Sequence, residues 1–181
     1  MEISYSPPGK FEVTRFEKIH NVIFESSQKA SIIVAQEIAN LIKEKSKQNS
    51  HCVLGLATGS SPIKVYEELV RMHKEDGLSF ANVISFNLDE YYPMEKGNIQ
   101  SYDYFMKEYL FNHVDILPEN INIPNGMVTA EELYQSCVDY EMKIKAVGGI
   151  DFQLLGIGRT GHIGFNAVSY THLRAHETPS N

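Results

Sequence analysis

An apolar run of strand length, a loop of small polar residues and an amphipathic stretch follow one another without a gap near residue 50. They are Cys52-Val53-Leu54-Gly55-Leu56-Ala57, then Thr58-Gly59-Ser60-Ser61, then the segment opened by Pro62. The run has the length and composition of a strand buried on both faces. Pro62 suits a first helical position, and Ile63, Tyr66, Leu69, Val70 and His73 share one helical face. The unit recurs. Val83 to Leu88 reads as a second strand, ending in Asp89-Glu90-Tyr91-Tyr92, with a helix expected from Ser101 to Asn112. Asp151 to Leu155 reads as another strand, leading into Gly156-Ile157-Gly158-Arg159-Thr160-Gly161-His162. Strands alternating with helices imply right-handed crossovers, hence a Rossmann-like, three-layer α/β/α fold with a mostly parallel sheet.

The remaining segments fit this frame. Residues 1–25 read as an N-terminal arm, broken early by Pro7, Pro8 and Gly9. Ser26 or Ser27 can cap a helix to about Gln48, with Ile32, Ala35, Ile38, Ala39 and Ile42 at helical spacing. Residues 118–126 form a loop with a short extended piece at Ile121-Asn122-Ile123. Thr129 and Glu132 make a capping box for a helix to about Val147, stopped by Gly148-Gly149. Val138 and Met142 are expected on its core stripe, and both cysteines, Cys52 and Cys137, are expected as buried, reduced thiols.

In a parallel sheet all strand C-termini share one edge, and ligands bind beyond it. The loops Thr58–Ser61, Asp89–Tyr92 and Gly156–His162 each begin where a strand ends, so they are expected to converge. In the first, Thr58, Gly59, Ser60 and Ser61 offer hydroxyls and free N–H groups at a helix N-terminus, where an anion is favoured; a plain capped turn is the alternative. The Gly-Lys-Ser/Thr ending of a nucleotide phosphate loop is absent. In the second, Asp89 can act as a base on carbon next to a carbonyl, or cap a helix. In the third, Gly156 and Gly158 place His162 at the sheet edge, where an imidazole can pass a proton to a sugar ring oxygen. The glycines also spell GxGxxG, but the residues after His162 do not read as the helix and strand of a dinucleotide site.

The net charge of -7 argues against a nucleic-acid footprint. No apolar run is long enough to span a bilayer and the first residues do not read as a signal peptide, which makes the cytoplasm the default location. No CxxC or Cys/His cluster with metal-ligand spacing occurs before residue 167.

Taken together, LGLATGSSP, VYEELVRMHKEDGLSF, VISFNLDEYY, SYDYFMKEYLFNHVDILPENINIPNG and LLGIGRTGHIGFN resemble the glucosamine-6-phosphate deaminase family, in order and spacing, over roughly residues 20–166. The resemblance implies conversion of glucosamine 6-phosphate to fructose 6-phosphate and ammonia in amino-sugar and N-acetylglucosamine breakdown. It implies no cofactor and no metal, a phosphorylated amino sugar as partner, and a homo-oligomer for the intact protein. Carried over by position, Asp89 matches the base that takes the C2 proton and His162 the ring-opening acid/base. Thr58 to Ser61 match part of the phosphate cradle, and Gly156 and Gly158 the glycines that let backbone approach the sugar. Thr160 stands where the family has Asp or Asn, and supplies no charge to the histidine. After HIGFN the family continues Glu-Pro-Gly, whereas this chain has Ala167.

Residues 167–181 match no part of the family and read as a non-native tail; its His172 and His176, four residues apart, are set aside with it as a metal pair. This leaves 26–166 as the N-terminal part of a deaminase-like domain, its sheet incomplete at the C-terminus. Such a chain is expected to be poorly stable and inactive by itself. A 6-phosphogluconolactonase-like hydrolase resembles the same fold, and a non-catalytic phosphosugar-binding module fits Thr160 and the absent glutamate; FNLDEYY and GRTGHIGFN favour the deaminase.

Overall fold

The computed structural model describes residues 21–158 and 161–164. Most of the expected N-terminal arm, Thr160 and the expected tail lie outside the described residues.

Helix α1, Ser27–Lys47, starts where the Ser26 hydroxyl accepts the Lys29 N–H, and ends on Lys45 and Lys47, which suit the negative end of its dipole. Its buried face is Ser31, Ala35, Ile38, Ala39 and Ile42. Strand β1, Cys52–Leu56, is buried throughout. Helix α2, Ile63–Asp76, buries Val65, Tyr66, Leu69 and Met72, a face turned slightly from the one its sequence suggests. Strand β2, Val83–Asn87, is again wholly buried. Helix α3, Tyr102–Tyr109, is shorter than expected, because the chain tightens into a 3-10 turn at Phe111–His113. Strand β3, Ile121–Asn122, helix α4, Leu133–Ala146, and strand β4, Phe152–Gln153, complete the described elements.

The strands pair in parallel in the order β3-β2-β1-β4. Alternation along the strands divides the core. Cys52, Leu54, Leu56 and Val83 face α1, α2 and α3, joining Ile38, Ile42, Tyr66, Leu69 and Met106. Val53, Ile84 and Phe86 face the other way and meet Tyr140, Ile144 and Ile150. Helices therefore cover both faces, as the α/β/α reading expects. Strand β4 is shorter than expected, but its backbone bonding runs further. Asp151 N–H donates to Val53 O and Leu154 N–H to Gly55 O, both at 2.9 Å. The Asp151 carboxylate also accepts the Val53 N–H at 2.9 Å and pairs with Lys45. Burial works against its ionisation, but these partners prevail and hold its carboxyl below the usual range.

Helix α4 corrects two expectations. Met142 is 60% exposed and Cys137 is exposed, while Val138 is half-buried. The inward positions are Tyr140 and Ile144. Positions two apart on a helix are separated by about 200°, so a stripe through 140 and 144 points Met142 outward. Cys52 does lie in the core, where burial pushes its thiol up to about 12.

Candidate active site

The parallel register sets the rim. Leu56 pairs with Asn87, and Gly55 with Gln153. Continued past these pairs, the same register brings Thr58 level with Asp89 on one side and Gly156 on the other. Adjacent strands lie about 4.8 Å apart, so the ends of β2, β1 and β4 present three loops side by side. Leu88 N–H donates to Leu56 O at 3.2 Å, which extends the β2–β1 pairing toward the rim.

The first loop is anchored below and open above. The Tyr66 hydroxyl donates to the Ala57 carbonyl at 2.5 Å, fixing the end of β1 against α2. Thr58 is half-buried; Gly59, Ser60 and Ser61 are exposed. Gly59 has φ +93°, a conformation that strains any residue with a Cβ. The capping alternative fails here. Pro62 occupies the cap position of α2 with no side-chain cap bond. The Ser60 and Ser61 hydroxyls make no hydrogen bond among the described residues, so they remain available at the positive end of a helix.

The second loop separates two adjacent carboxylates. Glu90 takes the capping role: it accepts the Tyr102 N–H at 2.9 and 3.0 Å and the Asp103 N–H at 3.2 Å, at the start of α3. Asp89 receives no hydrogen bond from any described residue. Burial, and then the charge of Glu90, raise its carboxyl above the ordinary aspartate value. The segment is braced from below by Tyr140, whose hydroxyl bonds to the Asn87 and Asn122 carbonyls at 2.9 and 3.0 Å.

The third loop reaches the first. A Cβ built on Gly156 would stand 3.5 Å from Ser61 Cβ and 3.8 Å from its Oγ. The loop then turns: Gly158 N–H donates to His162 O at 2.8 Å, and Gly161 N–H to Gly158 O at 2.9 Å. The half-buried His162 ring packs directly on Gly158, where a Cβ would come within 2.0 Å of it. Gly158 therefore makes room for the imidazole. Thr58, Gly59, Ser60, Ser61, Asp89, Gly156, Gly158 and His162 thus all lie in the loops that follow the ends of β1, β2 and β4.

One residue escapes a reading of the sequence. Tyr102, which looks like helix packing, donates its backbone N–H to the Glu90 carboxylate and so sits against the second loop. Its ring lies 4.8 Å from that of Tyr91. The signal was a tyrosine at the first turn of a helix entered from a strand end.

Two cavities lie beside the second loop and away from the first and third. One of about 780 Å³ is lined by Glu90, Asn122, Glu132, Asp139, Tyr140 and Lys143 among others, beside β3 and α4. One of about 540 Å³ lies between Tyr91, Ile99, Tyr102 and Phe105. Neither is lined by Thr58–Ser61, Gly156 or His162. Size alone would favour the larger, but its lining brings no imidazole and no loop of free hydroxyls at a helix start, whereas the rim has both. Among the described residues, no group of three or more His, Cys, Asp and Glu is placed to hold a metal ion, and no helix is long and apolar enough to cross a membrane.

Residues 25–164 match the family described as glucosamine-6-phosphate isomerases/6-phosphogluconolactonase. A glucosamine-6-phosphate deaminase of Clostridioides difficile (strain 630) is 52% identical over 140 residues, covering 77% of this chain and 52% of the relative. A glucosamine-6-phosphate deaminase-like protein of Bacteroides thetaiotaomicron is 48% identical over 165 residues, 90% of this chain and 25% of the relative. Among solved structures, a monomeric glucosamine-6-phosphate deaminase superposes with a TM-score of 0.72 at 42% identity, over 78% of this chain and 56% of that one. A 6-phosphogluconolactonase from Thermotoga maritima superposes at 0.64 with 21% identity, over 80% and 62%, a likeness of fold alone. The chain spans about half the length of the Clostridioides deaminase it matches.

Proposed function

The chain belongs to the glucosamine-6-phosphate isomerase/6-phosphogluconolactonase family, and from that premise we propose that its rim serves the conversion of glucosamine 6-phosphate to fructose 6-phosphate and ammonia. Thr58 to Ser61 hold the phosphate against the start of α2, with Gly156 and Gly158 giving the sugar close access to backbone. His162 passes a proton to the ring oxygen and the sugar opens to its aldehyde. Asp89 takes the proton from C2 and returns it to C1. The imine left at C2 adds water and releases ammonia, which leaves the ketose. No cofactor is needed, because the electron pair only moves between C2 and C1. Thr160 stands two residues before His162, where the resemblance puts an Asp or Asn. The reading makes the protein a cytoplasmic enzyme of amino-sugar breakdown, acting as a hydrolase on a carbon–nitrogen bond.

One observation carries the reading: Asp89 comes level with Thr58 and has no hydrogen bond among the described residues, its usual structural work taken over by Glu90. A base raised toward neutrality suits proton abstraction from carbon. Ammonia release from glucosamine 6-phosphate, followed alongside fructose 6-phosphate, tests it. Hydrolysis of 6-phosphogluconolactone without ammonia release would assign the rim to the other half of the family.

A further inference from the structure

The loop that carries Asp89 off the sheet has two fixed points, and one of them lies far along the chain. Near its start, Glu90 is held by the N–H groups of Tyr102 and Asp103. Beyond it, every residue from Tyr91 to Gln100 is exposed except Met94, which is half-buried. Met94 N–H donates to Gly126 O at 2.8 Å. Among the described residues, this is the one backbone hydrogen bond from residues 89–97 to a distant part of the chain. Gly126 is itself buried, between the exposed Asn125 and Met127. A Cβ built on it would stand 2.6 Å from Tyr91 O, 2.7 Å from Met94 O and 3.0 Å from Met94 Cβ. We propose that Gly126 is a positioning residue for Asp89: its turn is a stop against which the loop after β2 seats, and the missing side chain sets where that loop holds the carboxylate at the rim. This inference rests on the proposed function.

The stop is firmer than what it stops. Met127 N–H donates to Asn125 Oδ1 at 3.0 Å, which holds the turn in shape. The strand just before it is tied to β2, where Asn122 Nδ2 donates to Ser85 O at 3.1 Å. The exposed residues after Asp89 have little packing to resist a push. The closest contacts of a new Cβ are backbone carbonyls rather than the end of a flexible side chain, so the loop itself must shift. The lever is short, because Tyr91 O lies only two residues beyond Asp89. Burial is the first cause of the raised Asp89 carboxyl and Glu90 the second, so a loop pushed off its seat changes the surroundings of the carboxylate as well as its place.

The test makes Gly126→Ala in the full chain and reads Asp89 directly, by carbon-13 NMR of its carboxyl through a pH titration, beside steady-state kinetics on glucosamine 6-phosphate. The Asp89 midpoint is expected to move down toward the ordinary aspartate value. Turnover is expected to fall about a hundredfold, the scale of a displacement of about 1 Å at a reacting group. KM should hold, because the Thr58–Ser61 loop is untouched. Asn125→Ala loosens the turn without adding atoms; it is expected to move the Asp89 midpoint the same way by less, and it carries the test should Gly126→Ala fail to fold. Met127→Ala, at a side chain 52% exposed next door, leaves titration and turnover unchanged. A wild-type Asp89 midpoint in Gly126→Ala and Asn125→Ala, even with lowered melting temperatures, would overturn the inference and leave the function standing. No ammonia release by the wild-type chain, with the Asp89 midpoint still moved by Gly126→Ala, would overturn the proposed function alone.

Discussion

The end of β2 and the start of α3 hold neighbouring carboxylates under opposite conditions. Glu90 is saturated by backbone N–H groups of α3. Asp89, one residue earlier, has none and sits half-buried beside Thr58. The difference teaches how a fold can spare one of two neighbouring acids from capping a helix, which is what the proposed role of Asp89 needs. The capping demand of a helix is met by the residue whose reach suits it, and the shorter acid is left at the rim with its charge poorly compensated.

Removing each member breaks the comparison differently. Asp89→Asn should cost about a thousandfold in deaminase turnover, the scale of a lost general base. Its stability should hold or rise. Because the folded-state value is raised, ionised Asp89 opposes folding as pH climbs through that value, and the amide removes this effect. A matched thermal melt at neutral pH checks the sign.

Gly158→Ala sharpens the contrast from the far side of the rim. Its Cβ would stand 2.0 Å from the His162 ring, so the imidazole must move. Displacement of about 1 Å at a reacting group costs about a hundredfold. Turnover should fall by that much while urea unfolding changes little.

Glu90→Ala should show the reverse pattern. Losing the acceptor for the first N–H groups of α3 should cost about 1–2 kcal/mol in urea unfolding, with a smaller drop in turnover. The smallest effect belongs to Glu90→Gln. It removes the like charge that raises Asp89, so the acid limb of kcat/KM should move to lower pH. A limb that stays in place would mean that Glu90 does not tune its neighbour.

The layers and the strand-end loops were legible in the sequence because β1 is an apolar run and β2 is apolar at Val83, Ile84 and Phe86, each followed at once by unusual loop chemistry. The division of labour between Asp89 and Glu90 was not. Both are acids at a strand end, and only the path of the chain back to Tyr102 decides which one meets the helix. Tyr102 itself was hidden for the same reason, since its contacts with Glu90 and Tyr91 depend on that same path. On α4 the apolar residues Val138 and Met142 mimic a core stripe, but the sheet face is narrow there. Tyr140 and Ile144 occupy it, with the Tyr140 hydroxyl reaching the carbonyls of β2 and β3. Polar contacts of that kind leave no mark on apolar periodicity.

The convergence of three strand-end loops on one phosphorylated amino sugar is tested most directly by backbone amide NMR during a titration with glucosamine 6-phosphate. Shifts arising together at Thr58–Ser61, at Asp89 and at Gly156–His162, with one affinity, are the predicted result. Shifts confined to residues 122–143 around the cavity beside α4, with the three loops unmoved, would contradict it.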